Sequence, residues 1–284
     1  MILIFIGYPA VGDLLSTNGM INFLSKFYEK IYLLDVSNCS KYLCNLYHLK
    51  ENIIYDNFDI NKVLNTKKKI HWCDCRYEYN INRDDKISKL KDITNLELFR
   101  IDCLNFKIND LLTIDNKYIF DKEKEKLIDN STGFYKHINL NKSVKLDFFH
   151  FNRNLEKEIE VCEEILLKHN LDEFSKFNII CDCDIPIRGD YLEMIDKKHI
   201  NNNFTNININ RICEFPGLLI PLFNRCEEIH LVANSNSLLI YYLQYKKIID
   251  PNKKVYFHHY CRGRGKFDLD MVTNPKLDNW TIIE

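Results

Sequence analysis

The sequence predicts an α/β fold built from two Rossmann-like lobes that face a cleft. Short apolar runs alternate with segments whose apolar residues recur at helical spacing, and this alternation is present in both halves of the chain. Continuous apolar runs are typical of parallel strands that are buried on both faces. Polar or glycine-bearing segments follow several of these runs, which is where ligands bind in open α/β sheets.

The first lobe is predicted over residues 1–142. Its strands are expected at the apolar runs Ile2–Gly7, Ile31–Asp35, Ile53–Tyr55 and Ile70–Trp72. Helices are expected between them at 14–29, 38–48 and 58–65. Residues 80–142 are more charged and less periodic, and we expect a helix near 93–104, loops, and the crossover between lobes there.

The second lobe is predicted over residues 143–284. Its strands are expected at Phe177–Cys183, Glu228–Ala233, Lys254–His258 and Trp280–Ile283. Its helices are expected at 153–169, 215–224 and Ser235–Tyr245, the last of which begins with capping residues. The asparagine-rich stretch 201–210 predicts either a loop or a short edge strand.

Charge and cysteine content narrow the class of protein. The chain has 39 Lys and Arg against 40 Asp and Glu, which argues against broad nucleic-acid binding because such binding needs a basic face. Eleven cysteines without a secretory signal favour free thiols in a reducing compartment, so we expect a cytoplasmic location. The sequence contains no run of 18 apolar residues, so we expect no transmembrane helix. The oligomeric state is left open.

The segment 7–19, GYPAVGDLLSTNG, is the first candidate site. It is neither a Walker A loop nor a G-x-G-x-x-G fingerprint, so an ordinary strand-to-helix turn is the alternative interpretation. As a ligand site it would contribute Gly12, Asp13 and Asn18. Asp13 is the candidate carboxylate base at the mouth of the cleft.

A second candidate site follows the strand that ends near residue 183. Arg188 stands in a turn with Gly189, where a guanidinium can grip a phosphate, although a surface ion pair is the alternative. Asp182 and Asp184 form a D-x-D pair that could hold a metal, a reading that we disfavour. The tripeptide Arg188-Gly189-Asp190 is short enough to arise by chance and is not interpreted as an adhesion motif.

Two further strand ends carry groups that suit an anion. Asn234, Ser235 and Ser237 begin a helix after the strand near 229–233, where their N–H and hydroxyl groups could bind an anion. An ordinary N-cap by Ser235 or Asn234 is the alternative, and both interpretations can hold together. The basic segment 258–266 contains Arg262 and Arg264, which would meet a phosphate or a base unless the segment is a solvated loop. The Cys pairs are of the C-x-C type, so we predict no structural zinc, and no G-x-S-x-G hydrolase motif occurs.

Together these segments resemble fucosyltransferase-like GT-B glycosyltransferases, of a kind also found in large DNA viruses. The resemblance rests on GDLLSTNG, IPIRGDY, and the block EIHLVANSNSLLIYYLQ followed by KVYFHHYCRGRG. It implies that Arg188 binds the diphosphate, that Ser235 and Ser237 add contacts at the helix start, and that Asp13 and Asn18 lie on the sugar or acceptor side. The chain departs from the pattern at 185–187, where a histidine is expected, and at Asn234, where an aspartate is expected.

The resemblance implies an inverting, metal-independent transfer of a sugar from a nucleoside-diphosphate sugar, GDP-fucose-like, to a hydroxyl of a glycan acceptor. No cofactor is expected. The two departures favour an alternative, a non-catalytic protein that binds nucleotide sugars on the same fold. A further alternative is another nucleotide-sugar-modifying enzyme, such as an epimerase or dehydrogenase, which the absence of G-x-G-x-x-G disfavours.

Overall fold

The computed structural model divides the chain into two compact units, Met1–Asn152 (unit 1) and Arg153–Glu284 (unit 2). Residues 143–152, which follow the predicted lobe boundary, lie with unit 1. The structure describes residues 1–6, 11–34, 40–47, 49–55, 59, 62–63, 65–74, 115–120, 134–135, 138–182, 187–188, 191–192, 194–210, 212–213, 215–261 and 277–284. The helix predicted near 93–104 lies outside these residues.

Unit 1 contains a four-stranded parallel sheet in the order β3-β2-β1-β4. The strands are β1 (Ile2–Ile6), β2 (Lys30–Leu34), β3 (Ile53–Ile54) and β4 (Ile70–Asp74), close to the predicted runs. Leu3 and Ile4 are fully buried, as a central strand covered on both faces requires. The chain adds β2 and β3 on one side of β1 and then β4 on the other side, so the strand order reverses at β1. Ligands of such sheets usually bind at the carboxyl ends of the strands next to this reversal.

The helices of unit 1 are α1 (Val11–Leu24), α2 (Ser40–Tyr47) and α3 (Ser143–Asp147). The predicted start of α1 at residue 14 is wrong. The helix begins at Val11, so Gly12 and Asp13 lie in its first turn and not in a preceding loop. Every residue of α1 from Leu14 to Leu24 is buried, because the helix is covered on all sides.

A glycine allows α1 and α3 to approach closely. A Cβ atom on Gly19 would lie 2.5 Å from the carbonyl oxygens of both Val144 and Lys145. Those oxygens belong to helix backbone and cannot move aside as a flexible side chain would. Gly19 therefore fixes the distance between the first helix of unit 1 and the segment that ends this unit.

Unit 2 contains a five-stranded parallel sheet in the order β8-β5-β9-β10-β11. Its strands are β5 (Phe177–Cys181), β8 (Thr205–Asn208), β9 (Glu228–Leu231), β10 (Lys254–His258) and β11 (Trp280–Ile283). A short antiparallel hairpin, β6 (Ile187–Arg188) and β7 (Tyr191–Leu192), comes between β5 and β8 in the chain. Of the two predictions for the asparagine-rich stretch, the edge strand is confirmed by β8.

The helices of unit 2 are α4 (Leu155–Lys168), α5 (Ile220–Arg225) and α6 (Ser235–Tyr245). The predicted helix at 215–224 is a 3-10 turn, Pro216–Leu219, followed by α5. The predicted bounds of α6 and β10 are confirmed residue for residue. Among the described residues, no helix has both the length and the apolar character that crossing a membrane requires.

For substitution of Gly19 by alanine, the close approach of α1 and α3 predicts a loss of stability, whereas helix propensity predicts a gain. Alanine is favoured over glycine inside a helix by about 1 kcal/mol. We nevertheless expect Gly19→Ala to lower the free energy of unfolding by about 1–3 kcal/mol, because the added methyl group overlaps two backbone oxygens. Chemical denaturation measures this change. Gly19→Val should cost more than Gly19→Ala, and a stabilised Gly19→Ala variant would disprove the close contact.

Candidate functional site

The candidate residues lie at the carboxyl ends of parallel strands. In unit 1, β1 ends at Ile6 and α1 begins at Val11, so the first turn of α1 stands at this edge of the sheet. In unit 2, the order of the strands reverses between β5 and β9. The segments that follow these two strands, beginning at Asp182 and Val232, therefore stand at the corresponding edge of the second sheet.

Asp13 is a carboxylate with a shifted proton affinity. Burial raises the pKa of Asp13 from 3.8 to about 6, and a hydrogen bond from its own backbone N–H opposes this rise. The side chain remains partly exposed. A carboxylate whose pKa is near neutrality and which solvent can reach is suited to accept a proton from a hydroxyl group. Gly12, the residue before it, is partly exposed in the same helical turn.

Asn18 has a different position from the one expected. It is fully buried in α1. Its Oδ1 atom accepts hydrogen bonds from Asn22 Nδ2 at 3.0 Å and from the backbone N–H of His150 at 2.9 Å. The side chain therefore joins α1 to the segment after α3. This placement corrects the expectation that Asn18 faces a sugar or an acceptor, because a buried polar residue of a helix has the same sequence signature as an exposed ligand contact.

Unit 2 contains a buried carboxylate at the switch point between β5 and β9. Asp182 directly follows β5, and its Oδ1 atom accepts hydrogen bonds from Asn208 Nδ2 and Asn210 Nδ2, each at 2.6 Å. The two asparagines come from the carboxyl end of β8, which pairs with β5. We name these three residues the Asp182 cluster. Its geometry is that of a carboxylate held by neutral donors.

Sequence reasoning missed the Asp182 cluster, since Asp182 was weighed as a metal ligand together with Asp184. Asp184 lies outside the described residues. In the described part of the chain, no group of three or more His, Cys, Asp or Glu side chains is arranged to hold a metal ion. Asn206, Asn208 and Asn210 alternate with other residues at the period of a strand. That alternation was the signal that the stretch presents amides on one face.

The start of α6 is closed by its own side chains. Asn234 Oδ1 accepts hydrogen bonds from the backbone N–H groups of Asn236 at 2.9 Å and Ser237 at 3.2 Å. Ser237 Oγ accepts one from the backbone N–H of Asn234 at 3.2 Å and donates to its carbonyl oxygen at 2.7 Å. This is a capping box, so Asn234 and Ser237 have the structural role that was weighed as the alternative.

Within the described residues, Ser235 keeps a backbone N–H and a hydroxyl that the capping box does not use. The capping box leaves its backbone N–H outside the set of capped groups, and the side chain is partly exposed. Ser237, in contrast, is fully buried. The first N–H groups of a helix attract anions, but here the box already satisfies those of Asn236 and Ser237. An anion would therefore meet one N–H and one hydroxyl at Ser235.

The two arginines are only partly located. Arg188 is in β6, where its backbone pairs with that of Tyr191 in the hairpin that follows β5 and Asp182. The position of its side chain lies outside the described part. Arg262 lies outside the described residues altogether, although the described chain that precedes it continues from β10 as far as Cys261.

Comparison with known proteins gives one structural likeness. The chain resembles a solved structure titled "Structure of E. coli ADP-heptose lps heptosyltransferase II". The TM-score is 0.53 and the sequence identity 12%, over 100% of this chain and 90% of that chain. No family model and no curated protein sequence matches the chain. At this identity the likeness establishes the fold alone.

The fold is a GT-B-like α/β fold. The likeness covers both units, and each unit has a doubly wound parallel sheet. The prediction of two Rossmann-like lobes is confirmed. The finer part of the sequence resemblance, to fucosyltransferase-like and viral proteins, stays a prediction.

The capping box makes a prediction that separates structural from ligand-facing residues. Asn234→Ala and Ser237→Ala should each lower the free energy of unfolding by about 1 kcal/mol, because each leaves backbone N–H groups of α6 unsatisfied. Ser235→Ala is the matched control, since its hydroxyl takes no part in the box, and it should change stability by less than about 0.5 kcal/mol. Denaturant unfolding of the three variants gives the comparison, and equal losses in all three would contradict it.

Proposed function

We propose that this chain is a glycosyltransferase that moves a sugar from a nucleoside-diphosphate sugar to a hydroxyl group of a glycan acceptor. The observation that carries the proposal is Asp13, a carboxylate with a pKa of about 6 at the carboxyl edge of the first sheet. The GT-B-like fold supports it, because the structural neighbour is by its title an ADP-heptose lps heptosyltransferase. Fold by itself does not establish chemistry, so the proposal depends on the residues.

Unit 1 would hold the acceptor, and Asp13 would act as the base. The carboxylate takes the proton of the acceptor hydroxyl as that oxygen attacks the anomeric carbon of the donor sugar. The bond between the anomeric carbon and the diphosphate oxygen breaks, and the electron pair leaves with the diphosphate. Attack opposite to the leaving group inverts the configuration. Gly12, the neighbour of Asp13, has no side chain and so would leave space for the acceptor.

Unit 2 would hold the donor through its diphosphate. The leaving diphosphate develops negative charge, and the residues proposed to stabilise it are Arg188, Arg262 and the N–H and hydroxyl of Ser235. Asn234 and Ser237 contribute by fixing the turn in which Ser235 stands. These residues would stabilise the negative charge of the leaving diphosphate in place of the divalent cation that does so in other enzymes.

The donor is proposed to be GDP-fucose-like, as the sequence resemblance implies. The structural neighbour is named for ADP-heptose, which has a different base and a different sugar. Both donors carry a nucleoside diphosphate as the leaving group, so the proposal for Arg188 and Ser235 is the same for either. None of the seven cysteines in the described residues is in a disulfide, which fits the reducing cytoplasmic location that we propose, in a host cell if the chain is viral.

A second function is favoured by one observation. The α6 capping box uses the N–H groups of Asn236 and Ser237 internally, which leaves fewer donors for a leaving diphosphate. A non-catalytic protein that binds nucleotide sugars would need less stabilisation of that charge than an enzyme does. Binding without turnover over a panel of donors and acceptors would favour this alternative, whereas release of free nucleoside diphosphate would exclude it.

The nucleotide site is tested by a thermal-shift screen with GDP, ADP, UDP, dTDP and GDP-fucose, with and without Mg²⁺. A ligand that binds only the folded chain raises Tm, and a metal-independent rise with one nucleoside diphosphate is the expected result. Arg188→Ala should lower affinity at least about tenfold, since it removes a charge-assisted contact. Arg225→Ala is the matched control, because Arg225 is at the end of α5, before β9 begins, and should bind normally. No shift with any nucleotide would disprove the donor site.

The base is tested by Asp13→Asn, which should affect activity and stability in opposite directions. Transfer should fall at least about a hundredfold, and in the parent chain the rate should rise with pH through about 6 as the carboxylate ionises. Because folding raises the pKa of Asp13, ionised Asp13 destabilises the fold. The variant should therefore gain about 1–3 kcal/mol at pH values above 6, and no gain should remain below 3.8. A variant that transfers sugar at the parental rate would exclude Asp13 as the base.

A further inference from the structure

Two fully buried histidines face each other inside unit 2. His230 in β9 and His258 in β10 each have 0% exposure. His230 Nδ1 and His258 Nε2 are 3.0 Å apart, so one of these two nitrogens carries a hydrogen and donates a hydrogen bond to the other. Of the remaining ring nitrogens, His258 Nδ1 is buried without a hydrogen-bond partner among the described residues, and His230 Nε2 lies 3.5 Å from Glu228 Oε2. Nothing in the proposed transfer reaction uses this pair.

A short segment, residues 194–200, lies against the pair, and we name it the strap. Its backbone N–H at Asp196 donates a hydrogen bond to Tyr260 Oη at 2.8 Å. The ring of His199 is 5.8 Å from that of His258 and 5.7 Å from that of Tyr260. Ile195 packs into a small cluster with Ile180, Val232 and Cys261. A second hydrogen bond runs from Cys261 Sγ to the carbonyl oxygen of Met194 at 3.4 Å. In the described residues the strap is therefore held by a few hydrogen bonds, ring contacts and a limited apolar cluster.

The pair is held in its neutral form by its surroundings. Burial, together with the neighbouring imidazoles of His230 and His199, lowers the pKa of His258 from 6.5 to about 3. Burial also lowers the pKa of His230, and the carboxylate of Glu228 opposes this. Each ring of the neutral pair carries one proton, and protonation of both rings would place two N–H groups against each other across the 3.0 Å contact.

The charged and titratable groups around the pair compensate an imidazolium unequally. From β9, Glu228 Oε2 is 3.5 Å from His230 Nε2, close enough to form an ion pair with an imidazolium at His230. His258 instead faces aromatic rings: Tyr260, two residues after the end of β10, meets it edge-on at 5.6 Å, while Tyr256 of β10 stacks on His230 at 4.9 Å.

The strap itself adds charges of both signs. Its acidic residue, Asp196, is already paired with Lys198 at 2.9 Å. Its other charged or titratable residues are Lys197 and His199, and protonation of His199 would add a further positive charge.

We propose that the strap is a pH-sensitive fastening, which lies closed over the neutral histidine pair and is released when the pair takes up a proton. The strap follows the β6–β7 hairpin in the chain with one residue between them, and Arg188 is in that hairpin. Release would therefore loosen the arginine proposed to grip the diphosphate, and nucleotide affinity would fall in acid. This last consequence rests on the proposed function, whereas release of the strap does not.

The direction of the pH dependence follows from the lowered pKa of His258. When the strap is open, the imidazole regains an ordinary pKa near 6.5, so protons bind the open form in preference to the closed one. The closed form is fully favoured above 6.5 and loses its advantage as the pH falls from 6.5 towards 3. The equilibrium constant for strap opening should be about tenfold larger at about pH 5.5 than at about pH 7.5 for each imidazole that is protonated.

Hydrogen exchange measured by mass spectrometry at these two pH values tests the release without any ligand. After correction for the intrinsic exchange rate, peptides that cover 194–200 should open about tenfold more often at the lower pH. Peptides from α4 and from β1 are internal references and should not change. An unchanged strap would overturn the proposal, and so would an equal rise in all peptides, because that would be global unfolding.

Two variants separate the pair from other histidines. His258→Gln keeps a polar group near the position of Nε2 but cannot take up a proton, so the rise in strap opening should be clearly smaller than in the parent. His169→Gln removes a histidine at the end of α4 and should leave the rise intact. If His258→Gln unfolds, the comparison of strap and reference peptides in the parent chain still decides. An unaltered rise in a folded His258→Gln variant would overturn the role of the pair.

The consequence for the ligand is measured by titration of GDP and ADP at the same two pH values. Affinity should fall at the lower pH in the parent chain and in His169→Gln, and less in His258→Gln. If neither nucleotide binds at about pH 7.5, the proposed donor site is wrong, while the exchange result still decides whether the strap is released. If a nucleotide binds equally at both pH values although the strap opens, the coupling to Arg188 is wrong.

Discussion

Burial of both faces of a parallel sheet is the constraint on which the arrangement of this chain depends. β1 is apolar throughout and β5 is apolar except for the buried Asn178, because helices or loops cover these strands on each side. Groups that are to meet a ligand must therefore stand where the strands end. Asp13, Asp182 and Ser235 all come after the carboxyl end of a strand. The chemistry that we propose follows from this geometry in both units.

Sequence reasoning succeeded where local chemistry and periodicity agreed. The bounds of α6 are predicted correctly because Asn234 and Ser237 are strong capping residues that directly precede an apolar run. The start of α1 is predicted too late, because Gly12 in the turn after a strand suggests a loop although it stands inside the first helical turn. The edge strand β8 was left open against a loop, since its asparagines have low strand propensity and only pairing with β5 settles the matter.

Polar residues were the least predictable part of the candidate site. Asn18 lies in the middle of α1 and Asn208 ends β8, and Asn18 joins buried segments of unit 1 whereas Asn208 supports a carboxylate in unit 2. The difference depends on partners that are distant in the chain, His150 and Asp182. A single sequence contains no record of such pairings. The environment that raises the pKa of Asp13 is likewise a property of the packed helix, whereas the sequence shows only the position of this residue after a strand.

The capping box at α6 has a consequence for how the edge of unit 2 responds to solution conditions. It is built from an amide and a hydroxyl, Asn234 and Ser237, and neither group carries a charge at any pH at which the chain is folded. Its strength is therefore nearly independent of ionic strength, which weakens contacts between exposed ions. The start of α6 should therefore respond less to salt or acidity than contacts between charged groups at this edge do.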